Sequence, residues 1–354
     1  MYVALRDLRR ARGRFALIAL VVVMVALLVT FLSGLTAGLA HQNISAVQQL
    51  PGTSVAFADT GAAPSFDESS LTATQVEDWV RAEPSATPVG IARQRIESVT
   101  PGAAPLPVAL IGVGGGNEAG GAGDATPSGT VDLSAAAAAD LNISAGGSVR
   151  IGDRTFTVRN VVGDDWYAHS PVVYVSLDDW QALTPTGGAA TVVTFTPEAG
   201  TDTQRLARDT QTTVLSAPDA LTAMPSYQAE NGSLTLMTVL LFVISALVIG
   251  AFFTVWTVQR VPDVAVLKAL GASTSSLVRD ALGQASVVLV VGTLIGMGVA
   301  ALAGGLIGAI PFVVSASTTL LPAAAIIGLG LLGACLALRF LITTDPLTAL
   351  GGNR

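Results

Sequence analysis

Val258-Gln-Arg-Val-Pro-Asp-Val-Ala-Val-Leu-Lys-Ala-Leu-Gly-Ala-Ser273 is a short amphipathic stretch between two long apolar runs, and its reading decides how the chain is built. Between Arg260 and Arg279 the apolar residues Val264, Leu267, Leu270 and Leu277 recur at roughly helical spacing. Gly271 interrupts the pattern, and Ser273 or Ser275 supplies a cap for a following helix. A helix of this kind can dock on a soluble partner. Read more simply, it is a solvated loop helix that only joins its two neighbours.

The runs on either side set the frame. Hydrophobic residues make up 51% of the 354 and charged residues only 12%, which is outside the range of an ordinary soluble domain and indicates an integral membrane protein. A bilayer needs about 20 apolar residues of helix, and four segments supply them: 15–40, 232–258, 283–310 and 321–342. They leave a basic segment at 1–14, an outside segment at 41–231, a loop at 259–282 holding the quoted stretch, a short outer loop at 311–320 and a tail at 343–354. Arg339, near the end of the fourth span, can snorkel to the interface. The apolar run after Arg14 is too long for the h-region of a signal peptide, so it reads as a span.

Orientation follows from the basic residues. Arg6, Arg9, Arg10, Arg12, Arg14, Arg260, Lys268, Arg279, Arg339 and Arg354 are ten of the 18, and all fall on short segments of one side, which is therefore cytoplasmic. Only Asp7, Asp263, Asp280 and Asp345 oppose them there. The segment 41–231 holds eight basic and 21 acidic residues, so the net charge of −7 originates outside and nucleic-acid binding has no support. The single cysteine, Cys335, excludes an internal disulfide and reads as a small apolar interface residue.

The outside segment opens with a polar stalk over 41–49 and then reads as α+β. Strands are expected at Ser54–Ala58, 88–96, Leu106–Val113, 172–175 and 190–195. Helices are expected at Ala73–Ala82, 133–141 and Leu177–Leu183, and a hairpin at 148–162 turns on Gly152-Asp153. The stretch 112–123, with seven glycines, reads as a mobile loop without the lysine and hydroxyl of a phosphate loop. No catalytic cluster is visible, since His41 and His169 are far apart in sequence. In the spans, Gly34 and Gly38, Gly292 and Gly296, and Gly304 and Gly308 stand four apart, a spacing that permits close helix packing within a bundle or a dimer.

Together these features resemble the FtsX/MacB-like ABC permeases: the Leu5-Arg-Asp7 start, the Val264-Ala-Val-Leu-Lys-Ala-Leu-Gly-Ala-Ser273 element and the closing Asp345-Pro-Leu-Thr-Ala-Leu350 carry the likeness. Within that group Arg14-Phe-Ala-Leu-Ile18, Ser33-Gly-Leu-Thr-Ala-Gly-Leu39 and Gln42-Asn-Ile-Ser45 are similar to the haem-exporter (Hrt-type) permeases of Gram-positive bacteria and the related glycolipid-exporter permeases. The resemblance implies a membrane α-helical fold of four transmembrane helices with one α+β extracytoplasmic domain between the first and second. It implies a homodimer that works with two copies of an ABC ATPase subunit, with ATP bound and hydrolysed there rather than here. The implied activity is export of haem or another lipophilic molecule, with no permanent cofactor; the alternative is a mechanotransmitting permease that regulates an outside enzyme. Val264, Val266, Leu267, Lys268, Leu270 and Gly271 become the ATPase-coupling candidates.

A haem cargo asks for an oxygen, nitrogen or sulfur ligand near the outer ends of the first two spans. Met224, Tyr227 and Glu230 fall within seven residues just before the second span, and Glu230 or Tyr227 offers ferric iron the hard oxygen it favours. Phe31, Leu35 and Leu234 would form apolar walls, and Met24, Met237 and His41 are further donors. The same residues also have a structural reading. Asn231 or Ser233 is a good cap for the second span, Glu230 suits a helix start, and Tyr227 is an ordinary interfacial aromatic.

Overall fold

The computed structural model describes residues 12–99, 104–115, 126–307 and 310–343. The arginines before Arg12, Gly308, most of the glycine-rich loop and the Asp345-to-Leu350 motif lie outside the described residues. The chain divides into two compact units, 39–232 and the segments on either side of it.

The flanking segments contribute α1 (Arg12–Gln48), α7 (Pro225–Ala269), α8 (Thr274–Leu306) and α9 (Ala316–Thr343). Each of the four is long and apolar enough to cross a membrane. Their shared core is built from Ile18, Val22, Ala26 and Val29 on α1, Ile249, Phe253 and Trp256 on α7, Val288 and Leu289 on α8, and Ile326 and Leu338 on α9. The paired glycines are used inside this unit. A Cβ on Gly296 would come within 2.5 Å of the Val23 carbonyl oxygen, and one on Gly292 within 2.8 Å of Val22, so α8 lies directly against α1. Gly34 and Gly304 receive the Phe312 ring, while Gly38 faces the Pro311 carbonyl. At Gly34, Gly38, Gly292, Gly296 and Gly304 the close approach that glycine spacing predicted is thus satisfied within one chain.

Polar groups are also paired within the unit. Gln284 on α8 is fully buried, accepts from Arg260 Nη1 at 2.6 Å and donates to Asp280 Oδ2 at 3.1 Å. The Arg260 guanidinium lies 4.9 Å from the centre of the Trp256 ring.

The 39–232 unit is an α+β domain around a ten-stranded sheet. Its strands are β1 (Ser54–Ala58), β2 (Thr87–Ser98), β3 (Leu106–Val113), β4 (Thr130–Ser134), β5 (Ser148–Ile151), β6 (Arg154–Val162), β7 (Trp166–Tyr167), β8 (Ser170–Ser176), β9 (Val192–Phe195) and β10 (Thr212–Ser216). The helices are α2 (Ala73–Ala82), α3 (Ala135–Leu141), α4 (Leu177–Leu183), α5 (Thr203–Asp209) and α6 (Ala217–Ala220). The order is β10-β1-β9-β2-β3-β8-β4-β6-β5, and β5 pairs back onto β2 through Ile96 and Ile151. Six strands therefore close on themselves, and Ile96, Leu110, Leu133, Val149, Phe156 and Val173 share the core they form. Gly90 and Gly112, opposite one another in β2 and β3, leave room for the Trp180 side chain of α4, which a Cβ on either would strike.

Several expectations are corrected here. Gly112, read as the start of a mobile loop, is a strand residue. Residues 130–134 form β4, because Val131 and Leu133 alternate into the core before the helix starts; only the remainder of the expected 133–141 helix is helical. Residues 41–48 of the expected stalk are the last part of α1, with Asn43, Ile44, Ser45, Ala46 and Val47 all buried. Helical hydrogen bonding continues through polar residues that end an apolar window. The same holds for the second span, whose helix begins at Pro225, a residue suited to the first helical turn. Asn231 and Ser233 are consequently interior helix residues and not caps.

The quoted Val258-to-Ser273 stretch is not an independent loop helix. It is mostly the end of α7, which stops where Gly271, at φ +94°, donates to Lys268 O while Ala272 donates to Leu267 O. That pair of bonds is the Schellman termination, for which glycine is the favoured residue. Ser273 then caps α8 by accepting from the Ser276 amide.

Candidate functional site

Around the 39–48 part of α1 the polar side chains are organised by one residue, Asn43, which is fully buried. Its Nδ2 donates to Glu230 Oε2 at 3.2 Å, and its Oδ1 accepts from Ser226 Oγ at 2.8 Å. The carbonyl oxygen of Asn43 accepts the Ala168 amide at 2.9 Å, and that of Gln42 accepts the His169 amide at 2.9 Å. Ser45 Oγ accepts from the Trp166 amide at 2.8 Å. The Gln42-Asn-Ile-Ser45 motif therefore holds the β7–β8 hairpin with two backbone carbonyls and the Ser45 side chain.

The hairpin brings in a residue that sequence reasoning left isolated. His169 Nε2 lies 2.8 Å from Glu230 Oε1 as a donor to the carboxylate, so both oxygens of Glu230 are engaged. The contact spans 61 residues, and no local spacing announces it. His41 Nε2 donates to Asp164 O at 2.8 Å, while Trp166 Nε1 donates to Asp164 Oδ1 at 2.8 Å.

Beneath this surface lies Asp165, which is completely buried. Tyr174 donates to its Oδ2 at 3.0 Å and Gln49 to its Oδ1. Burial raises the Asp165 carboxyl above the usual carboxylate range; the Tyr174 bond and the charge of His41 oppose the rise, and Asp164 adds to it. Burial likewise pushes the phenols of Tyr167 and Tyr174 upward, beside Asp67 and Asp165, so both remain protonated donors.

The candidates before the second span separate by exposure. Glu230 is half-exposed and already oriented. Tyr227 is half-buried and packs on the core formed by Ile44, Phe57, Val89 and Tyr174. Met224 is 1% exposed within that same core, which removes it as a ligand without repacking the domain. In the helical unit Phe31 and Phe312 have ring centres 5.3 Å apart, Leu35 and Leu234 are half-buried, and Met24 and Met237 are exposed. Among the described residues no three His, Cys, Asp or Glu side chains form a metal-binding group.

The coupling candidates separate as well. Val264 packs on the helical core, and Gly271 is the turn residue. Val266, Leu267 and Leu270, at 54%, 45% and 78% exposure, form one uncovered apolar strip at the end of α7.

Four helices long and apolar enough to cross a membrane, with an α+β domain inserted after the first, indicate a multi-pass membrane protein. Residues 235–346 match the family described as FtsX-like permease C-terminal. It is similar over 99% of both chains, at 27% identity, to the putative hemin transport system permease protein HrtB of Staphylococcus haemolyticus. The protein of the same name from Staphylococcus epidermidis is 24% identical over the full length of both chains. An uncharacterized ABC transporter permease of Mycobacterium tuberculosis is 31% identical over 120 residues, about a third of each chain. The periplasmic region of MacB from Actinobacillus actinomycetemcomitans aligns with 51% of the chain and 94% of its own at 15% identity and a TM-score of 0.35.

Proposed function

We propose that this chain is the permease subunit of an ATP-driven ABC efflux pump that exports haem from the membrane. Two copies would pair with two copies of an ATPase subunit, which supplies ATP hydrolysis. Both termini and the α7–α8 turn would face the cytoplasm, following the basic residues, and the 39–232 domain would lie outside. The observation that carries this reading is the end-to-end similarity to permeases named for hemin transport.

Glu230 is the residue best suited to meet ferric iron. Its carboxylate is a hard donor, is half-exposed, and keeps lone pairs beyond the two engaged by His169 and Asn43. Tyr227, packed on the domain core, is the second choice. A single oxygen ligand suits an exporter, because cargo held by a bis-histidine site would leave slowly.

Hemin titrated into the purified full-length chain in nanodiscs is expected to give a saturable Soret shift, which Glu230→Ala alters and weakens. Titration curves for wild type that match those of empty nanodiscs would dismiss haem and favour another lipophilic cargo.

A further inference from the structure

The β7–β8 hairpin turns through two residues, Ala168 and His169, since Tyr167 pairs with Ser170 on either side of them. Their φ values are +46° and +60°, so both sit in the left-handed region required at the two central positions of a type I′ turn. That turn favours Asn-Gly, and two residues with ordinary side chains there cost conformational energy. Strain of this sort persists only where the surroundings over-determine it. Here they do: the amides of both residues donate to successive carbonyls of α1, Gln42 and Asn43, and the turn presents the His169 imidazole to Glu230 at 2.8 Å.

The geometry points to His169, with Asn43, as a positioning residue for the Glu230 carboxylate. This rests on the reading of Glu230 as the cargo ligand. The two donors approach different oxygens, Oε1 and Oε2, and so fix the plane of the carboxylate from both sides. Each oxygen keeps a second lone pair, which leaves the group able to bind iron while its rotation is restricted. A ligand supported in this way binds metal more tightly than one free to rotate, and losing such an outer partner typically weakens binding about 10- to 100-fold. Asn43 is itself held by Ser226 and by the Ala168 amide, so both donors belong to one connected network.

Two variants separate reach from fold. His169→Asn keeps a residue that tolerates the left-handed turn but is too short to reach Glu230; His169→Gln keeps an amide donor at comparable reach. The full-length chain in nanodiscs is titrated with hemin, and the Soret band and the rate of hemin transfer to apomyoglobin are read. His169→Asn should shift the band and speed transfer about tenfold or more, His169→Gln should restore both toward wild type, and His169→Asn should add nothing in a Glu230→Ala background. A wild-type band and transfer rate in His169→Asn, with Glu230→Ala altered, would overturn the positioning role alone. Silence of Glu230→Ala itself would remove the ligand assignment together with it. An equal defect in the Asn and Gln variants would also overturn the proposal, since it would show that the turn and not the donor matters.

Discussion

The two ends of α7 are made of opposite chemistry. Between Met224 and Glu230 four side chains already have an occupation: Met224 and Tyr227 in the domain core, Ser226 on Asn43, Glu230 between Asn43 and His169. Between Val264 and Leu270 the apolar side chains Val266, Leu267 and Leu270 are exposed among the described residues. At the first end the polar side chains bond one another. The second is a surface that needs a cover, and a cap as tight as the Gly271 turn holds that surface in a fixed direction. In the proposed pump the first end meets cargo and the second meets the ATPase.

The sharpest way to break this contrast is to charge the uncovered strip. Leu267→Asp combined with Leu270→Asp should abolish ATP-driven export, because burying unpaired charges in an apolar contact costs roughly several kcal/mol, while the thermal melt stays near wild type. Export at the wild-type rate would mean that the strip is not the drive contact.

A smaller effect is expected from Asn43→Ala at the other end. It removes side-chain bonds to Glu230 and Ser226 in a buried position, which should lower stability by about 2 to 3 kcal/mol. The comparison sharpens if Leu267→Ala, on the exposed strip, stays within about 0.5 kcal/mol of wild type in the same melts. Equal destabilisation by the two changes would erase the distinction.

The smallest effect concerns pH. The Asp165 carboxyl is raised above its usual value of 3.8 by burial, so the folded chain holds that proton more tightly than the unfolded one. Its stabilising contribution is complete below that usual value and is lost as pH rises through the raised one. Asp165→Asn should therefore show a flatter dependence of stability on pH from the acid range toward neutral, read by hydrogen exchange over 39–232 in the intact chain. Parallel curves for the two proteins would exclude this contribution.

Much of the architecture is legible in the residues. The bounds of β1, α2, β3 and α4 follow from alternation and helical periodicity, and the four apolar helices follow from length and apolarity. The continuation of α1 through Gln48 and of α7 from Pro225 is not legible by apolarity, because buried polar residues such as Asn43 look like the edge of a span. Strand β10 and helix α5 were missed, since 203–216 is polar and half-exposed and lacks a clear period. The candidate site was half visible. Glu230 stood out by its place before the second apolar run, whereas His169 reaches it through a strained hairpin and Asn43 from a distant helix.

The central claim is that cargo binding and drive reside at separate ends of one helix. It is tested most directly by hemin titration of the Leu267→Asp/Leu270→Asp chain and the Glu230→Ala chain, each also assayed for export with its ATPase. The account predicts that both fail to export while only Glu230→Ala alters the Soret band. A Soret band altered equally in the two chains, or export retained by the Glu230→Ala chain, would contradict it.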